Sequence, residues 1–417
     1  MQTTRIYRLP YQLPQIFERL KTAQQEAAAV WNKCMEVHKK CRSLHEKWLS
    51  QTDLQKLTKG KYELHSQSVQ MVCQAFIANI DSTRENRLMG NRMKYPWRTK
   101  RFYPVSWAAQ AVRYESGRLI LPMGRRRKPI VLKLKIEGAI GAVSLVWNYG
   151  FEIHVKSEAP SQKSTATGNK ATVDLGEINL GAVTTRDSQA MIVTGRGIRS
   201  LKRQRNIAIG KIKRFQSKCQ KYSQRWKRLQ RANNRISRRV EKQVRDIRHK
   251  ATRQIVEFCK THGVDTVFIG NPNGVRNRDC GRHHNQRMSL WEYGKDIDYL
   301  TYKFKLSGIK VLTGQEQGTS SHCPVCGARK KVKGRDWKCP NKLCGFRGNR
   351  DAVGSANMHP IAFGQKIEFP TNITYLRPIS WRSRCSGTSQ SSLSKPIPQA
   401  PVVPGESSIP AQSISVA

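Results

Sequence analysis

Thr319-Ser-Ser-His-Cys323-Pro-Val-Cys326-Gly, Cys339-Pro-Asn-Lys-Leu-Cys344 and Arg350-Asp351-Ala-Val-Gly-Ser-Ala-Asn357 together form the stretch that decides the fold. Two close cysteine pairs separated by a short loop suit one tetrahedral zinc ion, because thiolates from two knuckles converge on it. Four thiolates close the coordination sphere, so the zinc expected at Cys323, Cys326, Cys339 and Cys344 is structural rather than catalytic. Asp351 opens a helix-like stretch directly after this ribbon. Far upstream, Val173-Asp174-Leu175-Gly176 ends an apolar run. A carboxylate at a strand end and another on a late helix, with a zinc ribbon inserted between them, point to a metal-dependent nuclease.

Composition narrows the partner. The 417 residues allow two or three domains, and 76 Lys+Arg against 28 Asp+Glu give a formal charge of +48. Self-repulsion on that scale opposes folding, so a polyanion is the expected counterpart. The excess runs along the whole chain, which favours a long nucleic acid over a small anion. A structural binder of ribosomal or chromatin type is the plainer alternative, but it leaves the carboxylate pattern unused. No run reaches the roughly eighteen apolar residues of a membrane span. Met1-Gln-Thr-Thr-Arg5 lacks the apolar core of a signal peptide. A cytosolic protein with reduced thiols is therefore expected. Cys34, Cys41, Cys73, Cys219, Cys259, Cys280 and Cys385 have no ligand spacing and are read as core or surface residues.

Periodicity supplies the layout. Residues 4–9 read as a strand. Ile16, Leu20, Ala23, Ala27, Val30 and Trp31 recur at helical steps, and Leu54–Leu57 and Val69–Ile80 predict two further helices. Lys94, Tyr95, Trp97, Arg98, Lys100 and Arg101 then interleave cations with rings. This suits phosphates and stacked bases, although a basic loop whose rings fill a domain seam would read the same way. Short β-rich runs follow from 105 to 157, with Arg125, Arg126 and Arg127 on a turn as a phosphate-contact candidate, or a solvated hairpin tip. A Ser/Thr/Lys-rich linker is expected over 157–170. From 201 to 250 the chain carries nineteen Lys or Arg against Glu241 and Asp246. A stripe from Leu229 through Val240, Val244, Ile247, Ala251 and Ile255 gives this stretch one apolar seam with basic flanks. Arg225, Arg228, Arg238 and Arg239 are the contact candidates there, and Asn233-Asn234 is read as the break of a helical hairpin. Val267–Gly270 reads as a buried strand, Ile309–Leu312 as a further strand, Trp291–Leu306 as a helix, and His283-His284 as polar loop residues. The Ser-, Pro- and Gln-rich segment from Ser386 is expected to be disordered.

That order of elements resembles an RNase H-like fold of the RuvC type. Asp174-Leu-Gly-Glu-Ile-Asn-Leu resembles the first RuvC motif of the TnpB family. Thr319-Ser320 with Cys323-Pro-Val-Cys326-Gly resembles its "TS..C..CG" ribbon signature, and Arg350-Asp351 through Ala356-Asn357 its "RD..GA.N" third motif. The close match covers about residues 170–358; the N-terminal half agrees in layout alone. The family comprises transposon-encoded RNA-guided DNA nucleases, ancestors of the type V CRISPR effectors. The resemblance implies an α/β RuvC-like nuclease domain (166–317 and 349–366) with a helical lid insert at about 198–260 and a zinc ribbon at 318–348. It also implies a wedge β-barrel from 1–9 and 100–165, a helical recognition domain at 10–99, and a mostly disordered tail at 367–417.

The same resemblance implies Mg²⁺-dependent endonuclease activity. The partners would be a guide RNA derived from the transposon end and a double-stranded DNA target beside a short flanking motif, in the prokaryotic cytosol or nucleoid. One departure matters. The family's central strand ends in a glutamate, whereas this chain reads Phe268-Ile-Gly270-Asn-Pro272. Adjacent strand ends lie about 5 Å apart, so Glu316, at the end of the next strand, is the expected third carboxylate beside Asp174 and Asp351. Glu292 is the runner-up, expected on a helix surface away from the strand ends. A nuclease-inactive RNA-guided repressor and an RNA-independent transposition factor remain the alternative functions.

Overall fold

The computed structural model describes residues 2–9, 14–148, 150–158, 167–275, 279–316, 318–332 and 334–378. Cys385, the segment from Ser386 and most of the expected linker fall outside these residues. The chain divides into two compact units, Met1–Pro160 and Ser161–Ala417. No helix among the described residues is long and apolar enough to cross a membrane.

The first unit contains β1 (Gln2–Arg8), α1 (Pro14–Ser43), α2 (Gln51–Thr58), α3 (Ser66–Leu88), β2 (Val105–Trp107), β3 (Arg113–Glu115), β4 (Arg118–Leu121), β5 (Ile130–Lys133), β6 (Val143–Trp147) and β7 (Phe151–Glu158). The helical spacing in α1 puts Leu20, Ala23, Ala27, Val30 and Trp31 on one buried face. Ser50 starts α2 with a reciprocal cap to Asp53. The strands make two antiparallel sheets, β1-β7-β6-β2 and β3-β4-β5. Alternation decides their faces: Ile130 and Leu132 of β5 are buried while Val131 is exposed. One core joins helices and sheets around Trp31, Phe76 and Trp107.

The second unit contains β8 (Asn169–Asp174), β9 (Asn179–Thr185), β10 (Ala190–Thr194), α4 (Arg196–Ser217), α5 (Gln224–Thr261), β11 (Val264–Asn271), α6 (Arg282–Leu290), α7 (Tyr293–Leu306), β12 (Lys310–Gln315), β13 (Asp336–Lys338), β14 (Arg347–Asn349), α8 (Arg350–Phe363) and β15 (Ile373–Leu376). Its six-stranded sheet runs β12-β11-β8-β9-β10-β15. β9 lies antiparallel to β8 and β10, while β11 runs parallel to both β8 and β12. That order sets Asp174, Gly270 and Gln315 at the same end of three neighbouring strands. Val173 and Ile269 are register partners, as are Gly270 and Gly314.

Three readings of this half change. The hairpin does not break at Asn233-Asn234: α5 runs through them, and Asn234 Oδ1 accepts from Gln230 while Asn233 Oδ1 accepts from Ser237. The break comes earlier, between Ser217 and Gln224. There Tyr222 takes a positive φ of 69°, and the Ser223 hydroxyl accepts from the Trp226 amide to start α5. His283 and His284 lie in α6 rather than in a loop. Residues 373–376, inside the stretch read as a tail, form β15 and pair in parallel with β10. Four residues are too short to carry a strong strand signal before the sheet edge that receives them is known.

Candidate metal and nucleic-acid sites

α8 is fastened to the sheet by buried hydroxyls. Thr172 Oγ1 donates to the Ser355 carbonyl at 2.7 Å, and Ser355 Oγ donates to the Thr172 carbonyl at 3.0 Å. One turn before Ser355, Asp351 therefore faces the end of β8. Its amide is capped by Asn349 Oδ1 at 2.9 Å, and its carboxylate accepts from Asn179 Nδ2 at 2.6 Å. Gly354 is needed for this approach, since a Cβ there would overlap Asp174 Oδ2.

Glu316 arrives from β12. The Thr319 amide and hydroxyl both donate to its carbonyl, at 3.3 and 3.0 Å, which turns the chain at the strand end. Its carboxylate occupies the space a side chain at position 270 would need: a Cβ on Gly270 would overlap Glu316 Oε2 and lie 2.9 Å from Met358 Sδ. Glu316 Oε2 is buried and has no hydrogen-bond partner among the described residues. Burial pushes the Glu316 carboxyl up to about 7. Asp174 is raised well above the carboxylate range by burial and then by the charges of Glu316 and Asp351; Arg350 and Arg335 act against this. Arg335, from the ribbon, donates to Asp351 Oδ2, and Arg350 Nε lies 3.7 Å from Oδ1. A buried Asp174 carboxylate flanked by those of Glu316 and Asp351, with an orphaned Glu316 oxygen among them, is a donor set suited to a hard cation such as Mg²⁺.

The ribbon places Cys323, Cys326, Cys339 and Cys344 with their sulfurs all within 4.8 Å of one another. Two edges measure 3.8 Å (Cys323–Cys344) and 3.5 Å (Cys326–Cys339). A tetrahedron with metal–sulfur bonds of about 2.3 Å has edges of about 3.8 Å, so the residues present fit zinc. Trp337, fully buried, packs with Cys323 and Val353. Asn357 ties the ribbon to α8 by donating to the carbonyls of Thr319 and His322 at 2.7 and 2.8 Å.

With this geometry in place, comparisons with known proteins bear on its origin. A family model described as "probable transposase" matches residues 152–276, and one described as "Cas12f1-like, TNB domain" matches residues 293–358. A TnpB-like protein of Methanocaldococcus jannaschii is 25% identical over 191 residues, 45% of this chain and 66% of that protein; the match spans just under two thirds of the relative. Over parts of its length the chain is thus similar to a TnpB-like protein and to the Cas12f1-like TNB domain. A solved Cas12f1–sgRNA–target DNA complex is similar in fold, with a TM-score of 0.57, 13% identity and coverage of 83% of each chain. A CRISPR-Cas12f ternary complex aligns over 83% of this chain and 81% of its own, at 13% identity and a TM-score of 0.39. The chain thus shares its fold with the Cas12f1 chain of the first complex and carries a four-cysteine cluster of zinc-ribbon kind.

The other residues singled out in the sequence are placed as follows. Glu292 is not a free helix-surface glutamate: it caps α7 and accepts from Lys202 at 2.7 Å, Arg248 at 2.9 Å and Lys295. Burial would raise its carboxyl, but the bonds from Lys202 and Lys295 outweigh that and hold it below the usual range. Tyr95, Trp97 and Lys100 serve packing inside the first unit. Both rings contact Trp48 edge-on, and Lys100 Nζ sits 3.3 Å above the Trp31 ring. Burial lowers Lys100 to about 8. These three make contacts inside the first unit, while Lys94, Arg98 and Arg101 are exposed. Arg125 and Arg126 are exposed, and Arg127 pairs with Glu63. On α5, Arg225, Arg228 and Arg239 are exposed, and Arg238 is half-buried. The reading of the residues missed Arg335 and Asn179. Nothing in a loop arginine's sequence signals that the ribbon's fold will bring it to a carboxylate sixteen residues on.

Proposed function

We propose that this chain is an RNA-guided DNA endonuclease of transposon origin, with Asp174, Glu316 and Asp351 as its catalytic carboxylates. The observation that carries the reading is the placement of Glu316: its carboxylate fills the void at Gly270 and stands among Asp174 and Asp351. A cluster of this kind would hold Mg²⁺, which when bound supplies charge stabilisation to the attacking and leaving oxygens of a phosphodiester. Asp174 and Glu316, raised by burial, keep protons where no cation competes for them, so their oxygens are available to a metal only as those protons leave. Arg335 and Arg350 offset the charge of Asp351 and hold its carboxylate in one orientation. The zinc ribbon carries Arg335 and is thereby a positioning element for the site.

Sequence reading of the target falls to guide pairing, and the protein's share is shape and charge. The exposed arginines of α5, the Arg125–Arg127 turn and the exposed cations of 94–101 would track phosphates. The first unit would act as wedge and recognition module, and the guide RNA would derive from the transposon end. Such a chain would work in the prokaryotic cytosol or nucleoid. The test is a Mg²⁺-dependent cleavage assay on a randomised target-flank library, using protein expressed with its native flanking DNA and its copurified RNA. Cleavage lost in Asp174→Ala, Asp351→Ala and Glu316→Gln, with target binding retained, is the expected result. Tight guided binding without cleavage by the wild type would leave a repressor instead, and absence of a stoichiometric RNA would remove the guided reading.

A further inference from the structure

Past the end of β8 lies a half-open cavity of about 640 Å³, lined in part by α4, α5, α6 and α7, within the size range of ligand pockets. Its lining begins at Gly176 and Glu177, two and three residues beyond Asp174, so its mouth starts within roughly 10 Å of chain from the carboxylates. Much of its wall is apolar, from Leu180, Ile198, Leu290 and Trp291. Five cations line it against two carboxylates, and both carboxylates are engaged: Glu177 with Arg199 at 3.3 Å and Asp296 with Arg248 at 2.9 Å. Arg203 and Arg287 add positive charge to the lining. Arg203 is exposed, whereas Arg287, whose Nη2 lies 3.4 Å from His284 Nδ1, keeps a buried Nε with no hydrogen-bond partner among the described residues. A donor kept from water without an acceptor is costly, and a ligand acceptor would relieve it.

We propose that this cavity receives one unstacked nucleotide of the DNA strand held at the Asp174–Glu316–Asp351 site, its base on the apolar wall beside Trp291 and its phosphate at Arg203 and Arg287. The proposal rests on the nuclease reading above. An apolar aromatic wall flanked by arginines matches a base joined to phosphate; a small inorganic anion would leave the wall uncovered, and an apolar ligand would leave the arginines unanswered. Seating a neighbouring base would hold the strand in register, so that one phosphate rather than its neighbours meets the carboxylates.

The test needs no cleavage. A five-nucleotide oligothymidylate with one 5-iodouracil is bound without divalent ions and irradiated, and the crosslinked peptide is mapped. Label on the peptide containing Trp291 is expected. Ile207→Trp, an exposed lining residue enlarged to block the mouth, should lower that yield at least fivefold with unchanged zinc content and circular dichroism. An abasic site at the labelled position should weaken binding to the wild type by about tenfold and make no difference to Ile207→Trp. Label confined to other peptides, or equal yields in wild type and Ile207→Trp, overturns the pocket. Stronger labelling by the matching oligoribonucleotide overturns its assignment to the DNA strand. A wild type that cleaves but lacks the crosslink sinks the pocket alone, and one that crosslinks without cleaving sinks the nuclease reading.

Discussion

Gly270 and Glu316 share one space. They sit on neighbouring parallel strands, and the side chain that position 270 lacks would overlap the carboxylate that position 316 supplies. Gly270→Ala should therefore destabilise the protein by about 1–3 kcal/mol, because both Glu316 and Met358 must move. Gly270→Glu alone should be worse. The double change Gly270→Glu with Glu316→Gly clears the space and should recover part of the cleavage lost in Glu316→Gln, measured on a fixed target. Equal inactivity of the double and single variants would mean that the carboxylate must approach from β12.

Acid should stabilise the metal-free protein relative to a variant lacking the buried carboxyl. Glu316 keeps its proton up to about 7 when folded, against an ordinary 4.5. Between those values the folded chain binds more protons than the unfolded chain. Stability then falls as pH rises through this window and levels off above it. Glu316→Gln removes this loss, so in EDTA it should exceed the wild type at pH 8 by up to about 3 kcal/mol and converge with it at pH 4.5. Mg²⁺ should narrow the gap at pH 8. Parallel wild-type and variant stabilities from pH 4.5 to 8 would show that Glu316 is not desolvated.

Zinc and turnover should be coupled through one arginine. Cys323→Ser should lose about one zinc per chain and loosen the ribbon around Trp337, since structural zinc contributes folding free energy directly. Cleavage should fall with it. Arg335→Met should keep the zinc and the ribbon but also lower turnover, because Asp351 loses a bound partner. Metal analysis and cleavage rates on the same preparations decide the point: full activity in Arg335→Met would break the proposed link.

Glu292→Gln should destabilise rather than be silent. It leaves Lys202 and Arg248, both buried, short of a countercharge. Losing a buried pair costs roughly 3–5 kcal/mol; Glu292 is one-third exposed, so about 1–2 kcal/mol is expected after screening. Chemical denaturation measures it, and an unchanged midpoint would show that solvent satisfies both cations.

Replacing Arg225, Arg228 and Arg239 by Gln should reduce the slope of log affinity against log salt by about two to three. An identical slope would mark this face of α5 as solvated.

The sequence by itself determined the four-cysteine cluster and singled out the two aspartates, because their signals are local. Thiolate pairs at knuckle spacing and an aspartate at a helix start constrain chemistry whatever surrounds them. The long seam of α5 was legible for the same reason, since Val240, Val244, Ile247, Ala251 and Ile255 all lie on its buried face. Tertiary structure decided the rest. Whether Glu316 or Glu292 stands beside Asp174 depends on which strand lies next to β11 and on the gap left by Gly270, neither of which is written near either glutamate. The rings at Tyr95 and Trp97 were ambiguous because stacking on a base and packing on Trp48 demand the same residues. β15 needed the free edge of β10, and Arg335 needed the folded ribbon to carry it to Asp351. Side-chain spacing specifies local geometry; non-local contacts set which groups meet.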